Sequence, residues 1–245
     1  MSNDSPLRDP HLEADRCVYT APLPGDEMER LFADIAAVTI DAQPSMLDRL
    51  QQRSTTARVL MGVALGVVLS GVFTAAHGLR TDLSGDAGLR MLVALLGLAA
   101  LGISAVMLSL RGLHKRSLGW ASWLLIGVML LAPAGLSSLP EFWPGQTSSA
   151  RPMPWESGCF WFGGTVASLT GAGVLLLQRS RHMAIWRVLS AAAAGGCAGF
   201  ITQQLFCPSG DTWHILTTHG LLGLVVGALL LLVSTPLRQR ARTRA

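Results

Sequence analysis

Charge is scarce in this chain of 245 residues. Asp, Glu, Lys and Arg make up 14% of it and apolar residues half, where a soluble domain carries about 25% charged residues. The shortage is sharper than the percentage suggests, because none of the fifteen Asp and Glu interrupts a long apolar run. Ten precede residue 49, and the others sit at Asp82, Asp86, Glu141, Glu156 and Asp211. A charge at mid-membrane costs about 2.5–3.5 kcal/mol on insertion scales and is kept where ions or protons move. Its absence speaks against a proton-coupled transporter or pump. The four cysteines form no CxxC pair, which removes zinc ribbons and thioredoxin-like motifs. Paired carboxylates, a Ser/His/Asp set and a phosphate-binding glycine loop with its flanks are missing too. Most histidines lie at span ends, so a haem or quinone site between helices is not indicated; no enzyme and no cofactor is expected. The first fifty residues lack the basic and apolar regions of a signal peptide and read as a genuine tail.

What the sequence has is length in its apolar runs. A bilayer core of roughly 30 Å needs about 20 apolar helical residues, because lipid leaves no backbone group unpaired without cost. Six segments qualify: Val59–Ala76, Met91–Leu110, Leu118–Leu136, Gly158–Gln178, Val188–Phe206 and Ile215–Thr235. The fifth, rich in Ala and Gly, is the least hydrophobic and is assigned by continuity. The spacing predicts an all-α polytopic membrane protein. Residues 1–57 form the tail, 58–236 the six-helix domain and 237–245 a basic C-terminus.

Direction follows from Lys and Arg. Arg111, Lys115, Arg116, Arg179, Arg181, Arg187, Arg238, Arg240, Arg242 and Arg244 fall on one side, against Arg80, Arg90 and Arg151 on the other. Ten against three places both termini in the cytoplasm. The formal net charge of +4 therefore reads as orientation, not as contact with nucleic acid. Trp143, Trp155 and Trp213 near outer ends and Trp120 and Trp186 near inner ends read as interfacial anchors. Gly62 with Gly66, Gly195 with Gly199, and Gly223 with Gly227 are GxxxG pairs, which serve packing within the chain or, less often, a homodimer.

The tail changes character at Asp26. Before it, Pro6, Pro10, Pro22 and Pro24 and scattered charges read as disorder. Asp26 and Glu29 make a capping box for a helix over 26–38, with Met28, Leu31, Phe32, Ile35 and Val38 along one face. A second helix, over 45–53, starts after Pro44 and carries Leu47 and Leu50. Two such helices cannot bury a core alone. Their apolar face has three available covers: a protein groove, the bilayer surface, or the inner loops of the bundle. Through Arg58 the segment holds six Arg against ten Asp and Glu, net −4, which anionic lipid repels. A protein partner is the favoured cover. Five such side chains offer on the order of 7–15 kcal/mol gross, less several kcal/mol for folding on binding.

The outer face gathers Cys159 at the start of the fourth span, Cys207 at the end of the fifth, and His77, His214 and His219 at the same level. Three readings stay open: a disulfide or redox pair, a soft-metal site drawn from these five residues, or inert side chains. His214 and His219 are five apart and so do not share an α-helical face as an i, i+4 pair would. Cys197, among alanines, reads as packing, and Cys17 as incidental.

Together these features resemble the NrsF-like polytopic anti-sigma factors of bacteria. The matching pieces are Gly158-Cys159, the Ala/Gly-rich run Ala191–Gly199, Phe206-Cys207-Pro208 with Asp211 close behind, and the small-residue stretch Gly220–Gly227. The resemblance implies a tail that sequesters an extracytoplasmic-function sigma factor. It also implies a periplasmic cysteine pair, here Cys159 and Cys207, that senses heavy-metal or oxidative stress. His214 and His219 stand where that family often has an aromatic pair, and the tail is longer and richer in proline. A transporter or channel for small molecules is the alternative.

Overall fold

In the computed structural model the described residues are 29–30, 45–80, 85–111, 119–139, 142, 158–178 and 184–242, with side chains to residue 235. The chain divides into a unit over residues 1–45 and a second over 46–245. In the first unit Glu29 and Arg30 are helical and exposed. Met28, Leu31, Phe32, Ile35 and Val38, and Cys17 with them, lie outside the described residues.

The second unit is helical among its described residues. A short helix α1 (Met46–Gln52) precedes α2 (Thr55–His77), α3 (Gly85–Ser109), α4 (Trp120–Ser137), α5 (Gly158–Leu176) and α6 (Ile185–Phe206). The last crossing is composite: one turn of helix, α7 (Thr212–His214), then a π-helical turn over Ile215–Gly220, then α8 (Leu222–Arg242). Among the described residues six stretches are long and apolar enough to cross a membrane, the sixth running Thr212–Thr235. This is an all-α polytopic membrane protein.

α6 is the axis of the bundle. Of its membrane-length window 72% is buried, against 6% for α2. That explains why the least apolar of the six spans can sit in a membrane at all: its surroundings are protein, so Ala and Gly are selected for thinness over greasiness. The GxxxG pairs are committed within the chain. A Cβ on Gly195 would strike the Ala167 carbonyl, one on Gly196 would lie 2.6 Å from Gly223 Cα, and one on Gly199 would press the Gly163 carbonyl. Gly62 and Gly66 of α2 face Val106 and Thr170, and Gly227 faces Ala192. Phe200 and Cys197 of α6 fill the core against Met91, Leu95 and Leu98 of α3.

At the end of the bundle that carries Arg58 and Arg187, polar side chains close the helix termini. The last carbonyls of a helix have no partner within it. Those at the end of α5 find donors in α1 and α2: Gln51 Nε2 donates to Leu176 O at 2.9 Å and Arg58 Nη1 to Leu177 O at 3.1 Å. Gln178 Nε2 donates to Ser109 Oγ at 2.9 Å, and Ser109 in turn to Arg187 O at 3.1 Å. Arg187 Nη2 donates to Arg111 O at 2.9 Å while its guanidinium stacks on Trp186. Arg58 and Arg187 are buried, which extends α2 and α6 beyond the apolar cores read from the sequence.

α1 corrects one expectation. Leu50, assigned to a face awaiting a partner, packs partly buried against the cluster of Val106, Leu175 and Val188. With Ser54 capping α2 through Ala57 N, the short link leaves α1 beside the bundle, where Gln51 anchors it. Met46 (79%) and Leu47 (40%) stay exposed. The helix spans 46–52, within the 45–53 expected from sequence.

Candidate functional site

The opposite end of α5 and α6 holds a cluster of thiols and imidazoles. Cys159 enters in the first turn of α5, and Cys207 caps α6, its N–H still donating to Gln203 O at 2.8 Å. Pro208 follows and the chain turns back. Asp211 caps α7 by accepting from His214 N at 3.1 Å, which fixes where His214 starts. Ligand atoms of Cys159, Cys207, His214 and His219 all lie within 4.8 Å of one another. Cys207 Sγ is 3.5 Å from His214 Nε2.

The π-turn makes this convergence possible. In an α-helix residues five apart point in different directions; adding a residue to the turn, with i→i+5 hydrogen bonds, brings them back to one side. His214 and His219 thus face each other with ring centroids 5.2 Å apart at 75°. The sequence reading, which assumed α-helical pitch and so separated them, is corrected here. Gly220 closes the turn against α4, where a Cβ would meet Ser137 Oγ and Ala134 Cα.

Two glutamines of α6 hold the parts in register. Gln203 Nε2 donates to Cys159 O and, at 3.0 Å, to Thr218 O, so one side chain ties the start of α5 to the π-turn. Gly163 makes room for it, since a Cβ there would overlap the Gln203 side chain. Gln204 Nε2 lies 3.0 Å from His219 Nδ1, while His219 Nε2 is buried with no hydrogen bond among the described residues. Gln203, Gln204 and His219 are fully buried. The sequence reading of the thiols and imidazoles did not include the glutamines; the signal was there, two adjacent amides in an apolar span three residues before a cysteine.

The Cys207 thiol is held well below the ordinary thiol range. Its hydrogen bond with Cys159 is the largest cause; burial opposes it, and His214 and His219 add to the lowering. A thiolate beside imidazoles can act as a nucleophile toward a second sulfur or as a metal ligand. No disulfide joins Cys159 to Cys207.

His77 shares the level but not the cluster. Its Nδ1 lies 2.8 Å from Phe73 O, and its ring is 3.9 Å from that of Phe162 and 5.3 Å from that of Phe206. It belongs to an aromatic group beside the site. Cys197 is buried among α3 and α6 side chains. Comparison with protein-family models, curated proteins and solved structures finds no match to this chain.

Proposed function

We propose that the protein is a membrane-bound anti-sigma factor. Its N-terminal segment holds an extracytoplasmic-function sigma factor at the cytoplasmic face of a bacterial inner membrane and releases it when the redox or metal state of the cysteine cluster changes. The observation that carries this reading is the placement of the cluster. It sits at one end of the α5–α6 pair, and the other end of α5 is clasped by Gln51 and Arg58, the residues through which the N-terminal segment joins the bundle. A stimulus acts only by favouring one of two arrangements over the other. Closing or opening the cluster changes how the ends of α5 and α6 approach, and the clasp offers that change a route to the tail.

The transporter alternative has one observation in its favour, a cavity of about 670 Å³ between α2, α3 and α6. Its walls are small and aliphatic, from Gly62 and Gly66 to Ala198 and Ile201, which suits hydrocarbon better than a hydrated solute.

The test is co-purification of the full-length protein, in detergent, with each extracytoplasmic-function sigma factor of its source bacterium. One of them is expected to be retained. The double substitution Leu31→Asp, Phe32→Asp should reduce retention at least tenfold, and Leu50→Asp should act through stability instead. If no sigma factor is retained, or the double variant retains it as well, the anti-sigma reading is wrong.

A further inference from the structure

Resting on the reading that this cluster is the sensing site, we infer that Cys159, Cys207, His214 and His219 form a closed four-coordinate site for one divalent d10 ion, zinc in the first instance. A tetrahedral zinc with Zn–S of about 2.3 Å and Zn–N of about 2.0–2.1 Å has sulfur–nitrogen edges of about 3.6 Å and a sulfur–sulfur edge of about 3.8 Å. Cys207 Sγ and His214 Nε2 already stand 3.5 Å apart. The widest separation in the set is 4.8 Å, so the remaining ligands close by about 1 Å, within the reach of side-chain rotation.

Three further features point to an ion. His219 Nε2 is buried without a hydrogen bond among the described residues and sits on a ring that is wholly enclosed; a buried imidazole nitrogen is costly to leave unpaired. Its other nitrogen meets Gln204, the outer partner that orients a metal-bound histidine, with the amide turned so that Nδ1–H donates to its oxygen. Charge then selects the valence. Two thiolates and two neutral imidazoles carry −2. The nearby Arg80 and Asp211 offset each other. A divalent ion leaves the buried site neutral and a monovalent one leaves it negative, which burial disfavours. Binding is ligand exchange without electron transfer: each thiol that is still protonated gives up its proton to solvent and each sulfur forms a bond to the metal.

The experiment is metal analysis of the full-length protein in detergent, with cobalt(II) as the spectroscopic probe. One zinc per chain is expected. The cobalt form should show the intense visible bands of a tetrahedral ion together with thiolate-to-cobalt charge transfer. Cys159→Ser, Cys207→Ser, His214→Gln and His219→Gln should each weaken zinc binding at least 100-fold, and Gln204→Leu by 10–100-fold as a positioning residue, while Cys197→Ser and His77→Gln leave it unchanged. The wild-type cobalt spectrum does not depend on any variant folding. An octahedral spectrum, zinc well below one per chain after loading, or full zinc affinity in His219→Gln overturns the inference. If zinc fails to bind but a Cys159–Cys207 disulfide forms and alters sigma-factor retention, the metal inference falls and the sensor stands. If zinc binds as expected but neither ion nor disulfide alters retention, the metal site stands and the sensor reading falls.

Discussion

The contact between α6 and α8 is the tightest place at which to test the packing, and Gly196→Ala tests it. The added methyl would sit 2.6 Å from Gly223 Cα and 3.2 Å from Gly223 N. Carbon atoms rest about 3.5–4.0 Å apart, so the two backbones must separate by about 1 Å. No side chain can rotate out of the way, which puts the cost toward the upper part of the usual 1–3 kcal/mol for overpacking. Alanine recovers roughly 0.5–1 kcal/mol of helix preference over glycine, for a net loss of about 1–2.5 kcal/mol. Gly71→Ala is the matched control. It has the same chemistry in a helix, but among the described residues nothing lies within 4 Å of a Cβ placed there. It should therefore gain the helix preference with no clash. The difference between the two variants, about 2–3 kcal/mol, isolates the backbone contact from intrinsic propensity. Reversible unfolding in detergent, followed by tryptophan fluorescence, measures it. Equal stabilities within about 0.5 kcal/mol would show that α6 and α8 do not meet at these glycines. Because Cys207 caps α6 and His219 lies in the π-turn that leads into α8, the same displacement should loosen the cluster in Gly196→Ala and leave it intact in Gly71→Ala.

Two further outcomes follow from the ends of the bundle. Arg58→Ala removes the guanidinium from Leu177 O and Thr55 Oγ1 and should cost about 1.5–3 kcal/mol, the range for hydrogen bonds to a charged group; unfolding that is unchanged by the substitution refutes the clasp on α5. The Cys207 thiol, held below its unfolded value of about 8.5 by Cys159 first, should be ionised in the folded metal-free protein at neutral pH. Its contribution to stability is then complete above the unfolded value and is lost as pH falls toward the folded one. The difference in thiolate ultraviolet absorbance between wild type and Cys207→Ser should persist from pH 8 down to pH 6; disappearance of the difference by pH 7 would contradict the lowered thiol.

Most of the membrane domain could be read from apolar run length, because in lipid length and backbone satisfaction leave only one structure. The ends could not be read as well. Apolar run length starts the first span at Val59, whereas the helix begins at Thr55, with Arg58 buried against protein. The low hydropathy of the fifth span, a weakness when read alone, is the mark of a helix with neighbours on all sides. Hydropathy reports what a helix is made of, and only burial tells which solvent it meets. The same distinction applies to α1. Its apolar residues signalled that something covers them, and for Leu50 the cover is the bundle itself.

The candidate site separates level from contact. Topology puts Cys159, Cys207, His77, His214 and His219 at one depth, and of these five the structure gathers four. His77 is drawn off by an aromatic group that no spacing rule links to it, since Phe162 and Phe206 come from other helices. His219 joins because the chain departs from α-helical pitch for six residues, a departure with no periodic signature in sequence. A π-turn forfeits regular hydrogen-bond geometry and is found mostly where a side chain must be aimed. Here it aims His219 into a space already bounded by two thiols and a second imidazole, and the buried glutamines Gln203 and Gln204 pin both ends of that aim. A packing role alone would be met by an apolar side chain on a regular helix; the irregular turn instead buries an imidazole whose Nε2 has no hydrogen bond among the described residues, and that is the observation on which the proposed metal site chiefly rests.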